Sequence, residues 1–306
     1  MKSSISVNAQ AIKKHGEWRN WLLAYVLIAP LMVWLAFTIF IPVILVFYGS
    51  FYDTRIVGTY GAFVGLDNYL SVLRDPAYWA AWRRSFQWIL GCMILQTILG
   101  FSLALLLNST SGRLGEVART WAIVAWIIPT AVVALIWRWI FNGSFGIFNE
   151  ILLTLNIISS PIALLAHRDT ALLTAVFINV WRWFAFTGVI ILAGLSTIPK
   201  ELYESASVDG ANVMQKFFRI TMPSLQNITF TLGVVGTLWI FNIFDQIWLL
   251  TLGGPLDFTT TVPIYLFRGA FRDFRLGRIS AASIITALIL FVIALLLIRL
   301  TRPRED

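Results

Sequence analysis

The sequence predicts an all-α polytopic membrane protein with six transmembrane helices, and three observations support that fold class. Hydrophobic residues make up 58% of the 306-residue chain. Charged residues are only 12% of it, where soluble domains carry roughly 25%. Uncharged runs of about 20 residues, the length that crosses hydrocarbon as a helix, recur from end to end. Spans and short loops use up the length, so no large soluble catalytic domain fits. The net charge of +8 is scattered over loops and helix ends. Such scattering suits the basic flanks of membrane helices and argues against nucleic-acid binding. The single Cys92 lies in an apolar run, can form no internal disulfide, and reads as a small buried residue.

The first span is placed at 21–48, an uncharged run too long for a signal-peptide core, so it is expected to stay in the membrane. Five more follow at 85–107, 120–141, 171–195, 228–251 and 279–298. Each must be helical, because lipid offers the backbone no hydrogen-bond partner. Pro30, Pro42 and Pro129 fall within spans and are expected as kinks. The organisation is therefore an N-terminal segment 1–20, a six-span domain 21–298 with a polar loop at 196–227, and a tail 299–306. Lys2, Lys13, Lys14 and Arg19 precede the first span with only Glu17 opposing, which places the N-terminus in the cytoplasm. An even number of spans returns the C-terminus, with Arg299, Arg302 and Arg304, to the same side. The loop at 196–227 is then cytoplasmic as well.

That loop contains "ELYESASVDGANVMQKFFRITMP" (201–223), a soluble stretch between two greasy ones. Pro199 suits the first turn of a helix, and Glu201 and Glu204 favour its positive end. Gly210 fits a turn, since glycine takes the left-handed conformation without penalty. Beyond it Val213, Phe217 and Ile220 share a helical face, and Pro223 is expected to close that second helix. The reading is helix, glycine turn, helix. Ser205, Ala206 and Ser207 give the first helix a surface that another protein can approach closely. Physics alone leaves a second reading open, an interfacial amphipathic loop with no partner.

These residues resemble a known family. Glu204-Ser205-Ala206, Asp209-Gly210-Ala211 and Ile220-Thr221-Met222-Pro223 are similar to the EAA loop of ABC importer permeases. Ser205 stands where alanine is usual, and Met222 where leucine is usual. "FVGLDNYLSVLRDPAYW" (63–79) and "LTLGGPLDFTTTVPIYLFRGAF" (250–271) resemble the outer segments after spans one and five of carbohydrate-type permeases. The closest likeness is to maltose- and glycerol-phosphate-type sugar permeases, and it covers nearly the whole chain. It implies a type I ABC importer fold in a bacterial cytoplasmic membrane. It also implies a second permease subunit, an ATPase dimer and an extracytoplasmic solute-binding protein as partners. Glu204, Ser205, Ala206, Asp209, Gly210 and Pro223 would form the coupling element that docks on the ATPase.

No lysine follows a glycine in this chain, so the G-K-[ST] core of a P-loop is missing. No cofactor or metal is expected here, ATP and Mg belonging to the ATPase. An intramembrane enzyme fails on inventory, because His15 and His167 fall outside the spans and no carboxylates pair within them. A permease for another solute such as glycerol phosphate, or a secondary transporter, remain as alternatives. The second would leave the cytoplasmic helix pair without a task.

The substrate pathway is sought on spans four and five. Asn179, Arg182 and Phe186 fall on one helical face, and Trp239, Asn242 and Gln246 on another. Arg182 near mid-span costs about 2.5–3.5 kcal/mol on an insertion scale, so it is expected to face a wet cavity or a partner. Sugars offer apolar C–H faces and hydroxyl rims, which suit aromatic platforms with amide or guanidinium donors. The resemblance puts Asn179, Trp181 and Trp239 at or near the sugar site of maltose-type permeases. Helix–helix packing is the competing role for each of them. Arg138 and Asp245 lie at depths within about 5 Å of each other, so Arg138 either pairs with Asp245 or snorkels to the headgroups.

Overall fold

The computed structural model describes residues 21–56, 58–110 and 112–301. The expected cytoplasmic segment 1–20 and the tail residues 302–306 lie outside the described residues. Among those described there is no strand, only an isolated bridge between Tyr52 and Phe63. Four helices are long and apolar enough to cross a membrane, and two bent pairs bring the number to six.

The described residues divide into two units. The first holds α1 (Trp21–Gly49), the segment to residue 71, and residues 274–284. Its outer part is knit by side chains: Asn68 donates to the carbonyls of Ser50 and Tyr52, and Ser50 and Tyr69 share a hydroxyl contact of 2.7 Å. Gly277 donates its N–H to Thr54, and a Cβ there would lie 1.9 Å from the Tyr52 carbonyl oxygen, so only glycine fits. Tyr48 and Tyr52 meet at 2.6 Å between hydroxyls, a bond that holds the Tyr52 phenol above its ordinary range. A short helix, α2 (Asp67–Leu73), leads out of this unit.

The second unit is built on α3 (Pro76–Ser109), which Asp75 caps by accepting from the N–H of Ala77. It packs along its length against a later helix, α7 (Ala171–Leu195). The approach is close because glycines line it: a Cβ on Gly188 would lie 3.1 Å from the Gly100 carbonyl oxygen. Small residues at a crossing let two membrane helices gain dispersion contact where lipid supplies no hydrophobic drive. Between these two helices come α4 (Gly112–Ile127), α5 (Thr130–Ile140) and α6 (Ile147–Thr154). After α7 follow α8 (Lys200–Val208), α9 (Val213–Ser224), α10 (Gln226–Phe241), α11 (Asp245–Thr251) and α12 (Val262–Phe271). Helix α13 (Leu276–Thr301) runs three residues into the expected tail.

Span four matches its expected bounds, and spans one, two and six run longer than expected. Spans three and five differ in kind. The expected helix 120–141 is two helices, α4 and α5, turned 89° from each other. Pro129 causes the break: it has no N–H to donate and bars the residue before it from helical geometry. The expected helix 228–251 stops at Phe241 and restarts at Asp245. Here no proline acts. The indole N–H of Trp88 takes the Ile240 carbonyl at 2.9 Å, and the Asn242 side chain takes that of Leu238 at 2.8 Å. The Trp88 indole thus satisfies a carbonyl that a continuing helix would have used, while Asn242 adds its amide to a Leu238 carbonyl that its own backbone N–H already reaches. Pro223 does not close the second loop helix, which continues to Ser224 and bends by 65° into α10.

Candidate functional site

Both breaks open on one cavity. Ile127 and Thr130 flank the first break and Ile243 and Asp245 the second, and all four line a chamber of about 540 Å³. Helix α7 supplies Arg182 and Trp183, and Trp126 and Trp239 complete the wall. The Arg182 guanidinium donates to the Thr130 hydroxyl at 2.6 Å and lies over the Trp183 ring, 5.4 Å from its centroid. Trp183 meets Trp239 edge to face at 5.6 Å, and Trp126 stacks on Phe186 at 5.0 Å. A second cavity of about 470 Å³ shares Trp183, Trp239 and Ile243 with the first. Its wall adds Gln96, Thr97, Phe186 and Thr187, with Asn227 and Thr231 from α10, and is otherwise apolar. The pair offers aromatic faces where the two cavities meet, and two opposite charges at one end only.

The residues expected on the pathway divide accordingly. Arg182, Phe186 and Trp239 line the cavities. Asn179 is fully buried, donating to the Cys92 sulfur at 3.2 Å across the α3–α7 contact. Gln246 is also fully buried, with its amide 3.4 Å from the Ala175 carbonyl. Trp181 packs edge to face on Trp137 of α5, and Asn242 is exposed and spends its amide on its own helix. Three of the seven are therefore brought together, and four serve packing or the helix end. Among the described residues no ion pair joins Arg138 to Asp245; Arg138 lines a separate cavity with Leu250 and Gly254. Trp126, Thr130, Trp183 and Asp245 were not foreseen in the chamber. Trp183, Phe186 and Ile190 recur at i, i+3 and i+7, a stripe that sequence alone cannot tell from core packing.

The polar loop folds as helix, glycine turn and helix. Gly210 has φ of +77°, and no heavy atom stands within 4 Å of where a Cβ would be, so backbone conformation alone demands glycine. Asn212 then caps α9 in a reciprocal box with Gln215. Glu204, Ser205 and Asp209 are exposed, and Ala206 is half-buried with its carbonyl held by the N–H of Ala211 at 2.8 Å. Tyr203 turns inward to share a hydroxyl contact of 2.9 Å with Thr221, and Lys216 donates to Ser207 at 2.6 Å. Beneath the loop, Ala104 of α3, Ile191, Leu195 and Ile198 at the end of α7, and Leu225 at the bend form one apolar knot. Tyr203, Ile220 and Ile228 pack on it. Val208 and Val213 stay 88% and 85% exposed at the loop's tip.

Comparison with known proteins agrees with this architecture. Residues 96–304 match the family of binding-protein-dependent transport system inner membrane components. The trehalose/maltose transport system permease protein MalF of Thermococcus litoralis is 33% identical over 95% of this chain and 97% of its own. The sulfoquinovosyl glycerol transport system permease protein SmoG of Agrobacterium fabrum is 28% identical over 96% of each. In three dimensions the chain is similar to a bacterial ABC transporter involved in the import of alginate. The TM-score is 0.81 at 23% identity, over 94% of this chain and 97% of that one. With a family model matched over most of its length, helices in the expected order and the loop motif in place, this chain belongs to the binding-protein-dependent transport system inner membrane components, the permease subunits of ABC importers.

Proposed function

We propose that this permease moves a sugar across the bacterial cytoplasmic membrane, with both termini and the 196–227 loop in the cytoplasm. A second permease subunit completes the pathway, and a pair of ATPase subunits carries the ATP and Mg. An external solute-binding protein delivers the sugar. Relatives named for trehalose/maltose and for sulfoquinovosyl glycerol support the substrate class. The solved alginate transporter in complex with a pentasaccharide-bound periplasmic protein supports the delivery partner.

One observation carries the coupling role: a polar hairpin whose tip is apolar and uncovered, while its root is knotted to α7 and α10. Exposed valines at such a tip suit burial against a protein, and Glu204 suits a charge-assisted contact with a basic residue there. ATP binding closes the ATPase pair, the hairpin passes on the displacement, and the chamber changes the side on which it opens. Co-purification with the ATPase and uptake into membrane vesicles test this. Glu204→Lys and Gly210→Val should each abolish ATP-dependent uptake while membrane levels of the protein stay normal. Normal uptake in both variants would reject the docking role.

A further inference from the structure

The chamber at the two helix breaks holds one guanidinium and one carboxylate, and the two are not equally free. Arg182 spends an N–H on Thr130 and lies over Trp183. Asp245 is exposed to the chamber and, among the described residues, takes part in no ion pair. Resting on the sugar-import reading above, we propose that Asp245 is a substrate-binding residue that selects uncharged sugars and excludes acidic ones.

An ionised carboxylate accepts hydrogen bonds only, through two oxygens that span a pair of neighbouring hydroxyl donors. Bonds to an ionised acceptor are roughly twice as strong as neutral ones. A neutral sugar therefore gives two hydroxyls to Asp245, takes an N–H from Arg182, and lays an apolar face on Trp239 or Trp183. A uronate, sulfonate or phosphate ester gains from Arg182 but places its anion in the same small chamber as Asp245. Within one chamber the two anions lie closer than a Debye length, so salt screens that repulsion only in part. Attraction and repulsion offset, and the acidic sugar loses the hydroxyl contacts as well. The relatives named above include carriers of both neutral and acidic sugars, so this choice is a real one.

The test uses the whole transporter, this chain with its second permease and ATPase subunits, in lipid nanodiscs without the binding protein. Trp126, Trp183 and Trp239, three of the chain's 14 tryptophans, line the chamber, so the saturable change in emission on adding sugar reports occupancy over a constant background. The probes are maltose and trehalose as neutral sugars, and glucuronate and glucose 6-phosphate as acidic ones. At least one neutral probe should quench emission with saturation, and the acidic probes should not. Asp245→Asn should weaken the neutral probe about tenfold, the size expected for losing hydrogen bonds to a charged acceptor, and should admit an acidic probe. Asp245→Glu should keep the acidic probes out, which a merely structural loss would not do. The proposal is overturned if wild type binds an acidic probe as well as a neutral one. It is equally overturned if Asp245→Asn stays within about twofold of wild type for all four probes. Absence of quenching by any sugar removes this chamber as the binding site. If binding-protein-stimulated ATP hydrolysis persists in that case, the importer reading stands on its own.

Discussion

Helix α7 and the two broken helices flank the same chamber and are built on opposite terms. From Ala171 to Leu195 α7 has no interruption, and its bonds are its own. Its neighbours, α4–α5 and α10–α11, each surrender a stretch of helix beside it. Proline forces one gap, and an indole that takes over the Ile240 carbonyl permits the other. The contrast shows where a membrane protein can hold polar chemistry. Freed backbone groups and a charge pair are tolerated only at a lined cavity, and an unbroken rod beside that cavity keeps the walls in register.

Breaking the rod should have the largest effect. Val189→Pro would remove a helix bond in mid α7 and clash with the preceding turn, a cost of about 3 kcal/mol or more. It would also disturb the glycine-lined contact at Gly188. Little assembled protein should survive detergent extraction and size-exclusion chromatography; a normal elution profile would mean that the continuity of α7 is dispensable.

Next comes the division of residues between wall and interior. Trp239→Ala removes an aromatic wall of both cavities and should cut uptake about tenfold at normal assembly. Asn179→Ala instead loses a buried contact with Cys92. Thermal denaturation of the purified complex should show a loss of about 1 kcal/mol, with the half-saturating sugar concentration unchanged. A raised half-saturation for Asn179→Ala would return that residue to the pathway.

The smallest effect is expected from mending a break. Pro129→Ala restores an N–H and frees Ile128 to become helical, which draws Thr130 away from Arg182. Uptake should fall about threefold, less than the full worth of a bond from a charged donor because Arg182 can turn to another acceptor in the chamber, at normal membrane levels. An unchanged rate would mean that the break is an accident of sequence.

The long elements were legible because hydropathy and length suffice for a continuous span, and α7 fell on its expected bounds. The glycine turn at Gly210 was legible for a different reason: its conformation is local and depends on no neighbour. The gap after Phe241 was not, since it depends on Trp88, more than 150 positions away. The same distance effect hides the buried contacts of Asn179 and Gln246. An amide on a helical stripe reads identically whether its neighbour is a cavity or another helix; the approach of α3 decides for Asn179, and that of α7 at Ala175 for Gln246. Asp245 was noticed as an intramembrane acid but set against Arg138, because depth alone ranks partners when the breaks that steer α11 are unseen.

The apolar knot under the polar hairpin has a mechanical consequence. It sits at one end of α7, and Arg182 lies about 20 Å further along at 1.5 Å per residue. A stiff arm of that length magnifies rotation: a tilt of about 10° at the knot carries Arg182 through about 3.5 Å, more than the length of a hydrogen bond. The Arg182–Thr130 bond of 2.6 Å would part under it. We therefore expect the latch between rod and broken helix to be fastened in one stage of the ATP cycle and undone in another. Emission from the Trp183–Trp239 pair should change when ATP binds to the assembled transporter, and a spectrum indifferent to ATP would show that the arm does not turn.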